Sequence, residues 1–459
     1  MTELIVESLT KLAGLIRTRR TSPVEVAEAY LQQIQKLNPT LNAIVTLAPD
    51  LMAKAKEAEA RVMSGKNLGA LHGVPITIKD TIETAGLRTT SGSAIRASFV
   101  PERDAPAVAR LKAAGAIILG KTNAAEMAMD YTTDNPIFGR TNNPYDLSRT
   151  SGGSSGGEAA AIASCMSPAG LGSDLAGSIR IPAHFCGIAG LKPTTGRVPG
   201  AGQFPPSVGP YALGAVIGPM ARCAADLQTL FGVLTGDQTA KNTPYPQLKG
   251  TRVTWYSDDG IAPVTAEISR AVAAAAAALA QSGLLVDERR PPHVERGHDL
   301  WLKLFSRASV VQLRQVYSGR ESQAGSFVRW RLANADNTPL LTLDEYIAAW
   351  MERDRMRQEL LDWMEKSPLI VAPVGAIPAY EHDMLKMTIA GRTMNTFRAF
   401  SYSQTFNVFD LPAVSIPVQR STTGLPIGVQ IVGRQFQEDV VLKAAQLLEN
   451  ALGNSRQIL

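Results

Sequence analysis

Two short segments concentrate serine, glycine and charge in a way that suits acyl transfer. They are Gly152-Gly153-Ser154-Ser155-Gly156-Gly157 and Gly172-Ser173-Asp174-Leu175-Ala176-Gly177-Ser178-Ile179-Arg180-Ile181-Pro182-Ala183. Glycine lets backbone segments approach closely and adopt conformations closed to other residues. Successive exposed N–H groups in such turns form an anion-binding nest. A nucleophile attacking a carbonyl needs one nearby, to stabilise the developing oxyanion. Either turn alone reads as a structural feature of a large α/β protein. Both together, with Lys79 upstream at the end of the apolar run from Gly73 to Asp80, point to a site. Lysine is a base only when neutral, against a reference pKa of about 10.4. Burial at the end of an apolar strand lowers that value by disfavouring the ammonium. Lys121 is the rival base, but Gly120 and Thr122-Asn123 around it suggest a turn open to water, so desolvation favours Lys79.

Other motifs point elsewhere and fail on context. Gly115-Ala116-Ile117-Ile118-Leu119-Gly120-Lys121-Thr122 fits the P-loop pattern. A helix precedes its first glycine, however, and the residues between the glycines are themselves an apolar strand, so nothing flexible is left to cradle a phosphate. Gly153-Ser154-Ser155-Gly156-Gly157 fits the nucleophile elbow of an α/β-hydrolase with Ser155 at its centre. That elbow needs an apolar strand running into it, and residues 142–151 are polar. The five histidines form no H-E-x-x-H and no close pair with a carboxylate, so no metal site is expected. His72 and His184 lie beside the chemical motifs and are candidates for supporting contacts.

The elements that must position these residues are legible from periodicity. Residues 8–37 read as two amphipathic helices, the second opening on the capping box Ser22-Pro23-Val24-Glu25. Further helices are expected over 51–64, 105–114, 158–165 and 267–281. Strands are expected over 73–80, 116–119, 369–373, 413–417 and 428–432. Residues 199–214 form a proline- and glycine-rich loop, and 295–365 are mostly helical, with four of the five tryptophans. Alternating short apolar strands and helices indicate an α/β fold. No composition break forces a boundary, so 1–459 reads as a single large domain. Its centre is a mixed β-sheet covered by helices on both faces. Residues 65–220 carry the catalytic motifs and 295–365 form the pocket.

Composition excludes several function classes. Hydrophobic residues make up 45% and charged residues 19%, as in ordinary globular proteins. The net charge of +5 arises from 46 basic and 41 acidic residues without a basic run, so no nucleic-acid partner is expected. No apolar run reaches membrane-spanning length. Cys165, Cys186 and Cys223 are widely spaced and odd in number, which fits a reducing cytoplasm and no disulfide framework. The N-terminus lacks a signal-peptide pattern.

Gly-Gly-Ser-Ser-Gly-Gly followed by Asp-x-x-Gly-Ser-Ile-Arg-x-Pro-Ala resembles the signature of the amidase signature family. Gly73-Val74-Pro75 to Ile78-Lys79-Asp80 resembles its lysine motif, Asn135-Pro136 to Pro144 its connecting segment, and Leu411-Pro412-Ala413 to Gln430 its C-terminal strands. The resemblance spans roughly residues 8 to 450. It implies a Ser–cis-Ser–Lys triad with Ser178 as nucleophile, Ser154 as the cis-peptide relay and Lys79 as base. It implies an oxyanion hole from the backbone N–H groups of Leu175, Ala176, Gly177 and Ser178, and a substrate contact at the carbonyl of Ala128. The family has glycine where this chain has Ala176, whose methyl would narrow the pocket or restrict the turn while keeping the N–H. Ser155 and the pair Asp174–Arg180 read as structural support for the loops. No cofactor is implied.

The resemblance sets the chemistry without the substrate. The expected activity is hydrolysis of a small carboxamide, aryl amide, ester or carbamate by water through an acyl-enzyme on Ser178. Ala128–Tyr131, the 199–214 loop and the 300–365 region, with Trp301, Leu304, Phe305, Trp330 and Leu332, are expected to line a pocket for a hydrophobic group. Those five residues read equally well as helix core. The alternative is an A-type subunit of a glutaminyl-tRNA amidotransferase, which shares the signature and works in a complex. Homo-oligomerisation is left open.

Overall fold

The computed structural model describes residues 2–65, 68–236, 247–334 and 341–453. Its centre is one sheet of 11 strands. From one edge to the other the strands are Ile44–Leu47, Ile117–Thr122, Pro75–Lys79, Ala169–Asp174, Val216–Ala221, Ala189–Lys192, Ala413–Arg420, Pro426–Val432, Leu369–Pro373, Arg252–Trp255 and Leu285–Glu288. Pairing is mixed. Pro75–Lys79 runs parallel to both neighbours, and the strands from Ala169–Asp174 to Leu369–Pro373 pair antiparallel in succession.

The strand sequences show why both faces are covered. Successive side chains on a strand point to opposite faces. Leu369 and Val371 enter one hydrophobic core, while Ile370 and Ala372 enter the other. Strands apolar on both faces must be sandwiched. One core is closed by the helices Leu9–Arg17, Pro23–Leu41, Ala224–Thr235, Ala266–Gln281 and Glu438–Leu452. The other is closed by Arg180–Cys186, Gly297–Trp301, Leu343–Trp363 and Ser401–Val408.

The expected capping box is formed: Glu25 N–H donates to Ser22 Oγ at 3.1 Å, and Ser22 N–H donates to Glu25 Oε2 at 2.8 Å. The element boundaries lie within a few residues of the expected ones, with one consequential difference. The strand expected over 116–119 runs through Thr122 instead of stopping at Leu119, so Lys121 lies inside it. Gly120 makes no turn. It permits close packing on the edge strand, where a Cβ would collide with the Thr46 carbonyl oxygen. No helix among the described residues is long and apolar enough to cross a membrane.

Candidate active site

Lys79 is the last residue of a strand buried along its whole length. The side chain is fully buried. Nζ donates to Ser154 Oγ at 2.6 Å and to Ser173 Oγ at 2.9 Å. Burial pulls its pKa down from 10.5 to about 7, against the charges of Asp174 and Glu158, which favour the ammonium. Ser173 is a contact that sequence reasoning missed. Its one signal is its place just before Asp174, at the end of an apolar strand.

Ser154 sits in the glycine-rich turn before the helix Gly156–Ala163, and the Gly153–Ser154 peptide bond is cis. Small residues are required here by contact: a Cβ on Gly153 would lie 2.5 Å from the Asp130 carbonyl oxygen. Ser155 ties this turn to the second one. Its N–H donates to the Ser178 carbonyl at 3.2 Å, and its hydroxyl donates to the Ser173 carbonyl at 3.4 Å. Ser154, Ser173 and Ser178 line one cavity, and Ser155 does not.

The second turn, Leu175 to Ser178, is held from below by a buried ion pair. Arg180 donates to Asp174 through Nε at 3.1 Å and Nη2 at 3.0 Å, and reaches Gln430 and Asn407 at 2.8 and 2.5 Å. Burial alone would raise the Asp174 pKa, but the Arg180 guanidinium and Lys192 outweigh it and hold the carboxyl below the usual range. Asp174 also accepts the N–H groups of Gly177 at 2.8 Å and Ile179 at 3.1 Å. Two side chains orient the turn from outside: Trp301 Nε1 donates to the Leu175 carbonyl at 3.0 Å and the Tyr131 hydroxyl to the Ala176 carbonyl at 2.8 Å.

In a trans peptide the N–H points opposite the carbonyl. Pinning the Leu175 carbonyl to Trp301 therefore turns the Ala176 N–H the other way. By the same rule, pinning the Ala176 carbonyl turns the Gly177 N–H onto Asp174. Gly177 thus departs from the expected set of four oxyanion donors: its N–H is already engaged and the residue does not line the cavity. It serves the turn through its φ of +108°, where a Cβ would lie 2.6 Å from Ser403 Cβ. Among the described residues, the N–H groups of Leu175, Ala176 and Ser178 have no backbone or side-chain acceptor. Ala176 lies outside the positive-φ residues, so its methyl costs the backbone nothing and narrows the cavity wall.

Ala128 follows Met127 in a tight turn in which both have positive φ, +57° and +55°, and both border the cavity. The rest of the wall comes from residues 129–131, from Gln203, Pro205–Ser207, Tyr211 and Ala215, and from Trp301, Phe305, Ser306, Ser309, Gln312, Arg331 and Phe397. Trp301 and Phe305 line it as expected, one helical turn apart. Leu304, Trp330 and Leu332 do not. Leu304 points into the core, Trp330 is 61% exposed, and Leu332 packs on a small cluster with Tyr317 and Val328. Arg331, on the same helix as Trp330, is a wall residue that sequence reasoning did not find.

Lys121 is not hydrated. It is fully buried, donating to the Ile82 carbonyl and to Thr84 Oγ1 at 3.1 Å, and burial lowers its pKa to about 8 against the charge of Asp80. Desolvation therefore does not separate the two lysines. Contact does, since Lys121 hydrogen-bonds none of Ser154, Ser173 and Ser178. Beneath both lies Glu158, whose pKa burial raises to about 7. It accepts the hydroxyls of Thr77 and Thr122, the latter at 2.7 Å. His184 is structural: its ring bridges the Gly428 N–H at 2.7 Å and the Ile377 carbonyl at 3.0 Å, and burial holds its pKa down near 4. His72 meets the Ala58 carbonyl at 3.0 Å, away from the cavity. No cluster of three metal-ligating side chains occurs among the described residues.

Comparison with known proteins places this geometry in context. The family model described as Amidase matches residues 25–442. The A-type component of glutamyl-tRNA(Gln) amidotransferase from Sulfurihydrogenibium sp. is 31% identical, over 96% of both chains. Fatty-acid amide hydrolase 2 of Homo sapiens is 31% identical, over 98% of this chain and 90% of its own. The solved structure of 6-aminohexanoate cyclic dimer hydrolase superposes with a TM-score of 0.85 at 29% identity, covering 99% of each chain.

Proposed function

This chain belongs to the amidase family, and from that premise we propose that it hydrolyses a small-molecule amide through an acyl-enzyme on Ser178. The observation that carries the reading is the 2.6 Å contact of a dry lysine, Lys79, with Ser154, in a cavity that Ser154 shares with Ser178. Neutral Lys79 accepts the Ser154 hydroxyl proton as Ser154 accepts that of Ser178, and Ser178 Oγ attacks the amide carbon. The oxyanion forms against the N–H groups of Leu175, Ala176 and Ser178, and the Ala128 carbonyl orients the amide nitrogen. Collapse of the intermediate expels the amine, which takes the proton back through Ser154. Water then repeats the sequence and releases the acid. The aromatic wall, with Tyr131, Trp301, Phe305 and Phe397, supports aryl or alkyl amides, and esters and carbamates present the same carbonyl to the same nucleophile. Cys165 and Cys186, buried as thiols, support a reducing, cytoplasmic setting.

The amidotransferase relatives support a second reading, in which the chain generates ammonia from a carboxamide within a complex. One experiment tests both. The purified chain, without partners, is given a panel of amides, anilides, esters and carbamates. The first reading expects turnover of an amide that Ser178→Ala abolishes. Glutamine cleavage appearing only with a partner supports the second. Amide turnover that Ser178→Ala leaves intact sinks both.

A further inference from the structure

Two successive carbonyls of the Leu175–Ser178 turn are held by side chains that lead back to one short helix. Trp301, on the helix Gly297–Trp301, donates directly to the Leu175 carbonyl at 3.0 Å. The Ala176 carbonyl is reached from the same helix through three links. His298, one turn before Trp301, meets Gln404 Oε1 through Nδ1 at 2.6 Å. Gln404 Nε2 donates to the Tyr131 hydroxyl at 2.8 Å, and that hydroxyl donates to the Ala176 carbonyl at 2.8 Å.

The surroundings fix the direction of every bond in this chain. Gln404 Nε2 also donates to the Phe397 carbonyl at 2.8 Å, which can only accept, so the amide nitrogen faces Phe397 and Tyr131 and the amide oxygen faces His298. His298 must then carry a proton on Nδ1, as it does in one neutral tautomer and in the imidazolium. The Tyr131 oxygen accepts from Gln404, which leaves its own proton for Ala176. Bonds that run one way polarise one another. The chain is also held stiffly. Gln404 is fully buried, and the Tyr131 ring stacks on Phe397 with centroids 4.7 Å apart. Gly297 brings its helix so close to Ser401–Val408 that a Cβ there would collide with Thr405 Oγ1.

Neither His298 nor Gln404 lines the cavity, while Tyr131 does. Filling the wall needs only the Tyr131 ring; the hydroxyl is spent on Ala176. Released from it, the peptide between Ala176 and Gly177 is free to rotate. Its carbonyl then turns an acceptor towards the place where donors must meet the oxyanion, and Gly177 moves just before the nucleophile. We propose that Tyr131, Gln404 and His298 are positioning residues for the oxyanion turn, so that a half-buried histidine outside the cavity governs the rate at which Ser178 attacks. This rests on the reading of Ser178 as nucleophile.

The test uses a fluorophosphonate, whose phosphoryl oxygen takes the oxyanion's place as Ser178 attacks. The labelling rate at saturating probe is separated from the half-saturating concentration, and thermal unfolding checks that each variant keeps its fold. Tyr131→Phe retains the ring and is expected to lower the saturating rate by at least about tenfold, with the half-saturating concentration unchanged. His298→Ala is expected to lower the rate by about threefold, the worth of one net hydrogen bond. His298→Asn, which returns an N–H at a similar reach, is expected to restore most of it. In the Tyr131→Phe background, His298→Ala is expected to have no further effect, because the residues act as one chain. The pH at which the rate levels is expected to stay at about 7 throughout, since Lys79 is untouched. A full rate in folded Tyr131→Phe overturns the inference. So does a loss confined to the half-saturating concentration, or a His298→Ala effect that persists undiminished without the Tyr131 hydroxyl. An adduct of the parent on a serine other than Ser178 sinks the nucleophile assignment and the inference with it, whereas Ser178 labelled equally fast in every variant sinks the inference alone.

Discussion

Replacing Lys79 by methionine separates its catalytic role from its effect on stability. The change keeps the bulk of the chain and removes the titrating group. Lys79 is fully buried, with its pKa lowered from 10.5 to about 7 by burial. That drop of about 3.5 units corresponds to about 5 kcal/mol. The sign follows from proton counting. Between the folded and unfolded values the unfolded chain holds the extra proton, so stability rises with pH. The lysine therefore opposes folding in full at and below pH 7, and its opposition fades at about 1.4 kcal/mol per pH unit until it vanishes near the unfolded value.

Methionine also removes a hydrogen bond from each of Ser154 and Ser173, a loss of about 3 kcal/mol together. The variant is thus expected to be about 2 kcal/mol more stable than the parent at pH 7, and about 1 kcal/mol less stable at pH 9, the order reversing near pH 8. Denaturant unfolding of both proteins at pH 7, 8 and 9, followed by tryptophan fluorescence, measures the difference. Groups remote from Lys79 titrate alike in the two proteins and cancel, whereas Glu158, whose pKa the Lys79 charge lowers, loses that influence in the variant. A difference independent of pH would refute the idea that this lysine folds by losing its proton. In the parent, kcat/KM is expected to rise with pH up to about 7 and then level. The variant is expected to be inactive.

Ser154→Ala is expected to lower kcat by about a hundredfold or more, the usual contribution of one positioned proton-transfer group, because Lys79 then has no serine between it and Ser178; full activity would remove the relay from the mechanism. Asp174→Asn leaves Arg180 buried with its carboxylate partner neutralised. It is expected to cost about 3 kcal/mol, read as a drop in unfolding midpoint, together with a loss of activity through the Leu175–Ser178 turn. An unchanged midpoint would show that the network does not hold that turn.

Much of this is legible in the sequence because the site is built from residues whose type and local spacing matter. The two glycine-serine turns, Lys79 at the end of its strand, and the pair Asp174–Arg180 lie where short-range pattern and the family resemblance put them. The strands Pro75–Lys79, Leu369–Pro373, Ala413–Arg420 and Pro426–Val432 are legible from their apolar runs, whereas Ala169–Asp174, Ala189–Lys192 and Val216–Ala221 in the middle of the sheet, rich in glycine and other small residues, are not. What escapes depends on contacts distant in sequence. Lys121 reads as hydrated because Gly120 mimics a turn, when its missing Cβ serves an approach to Thr46. Gly177 reads as an oxyanion donor until its N–H is seen on Asp174. Trp330 and Arg331 are adjacent on one helix, and no local signal says that the arginine faces the cavity while the tryptophan faces solvent.

Activation of Ser178 by Lys79 through Ser154 is open to direct test by covalent labelling. The probe is a serine-reactive fluorophosphonate, its adduct located by peptide mass spectrometry and its rate followed with pH. A single adduct on Ser178 is expected, formed at a rate that rises with pH to about 7 and is lost in Lys79→Met. An adduct on Ser155, or labelling of Ser178 that is as fast in Lys79→Met as in the parent, would contradict that activation.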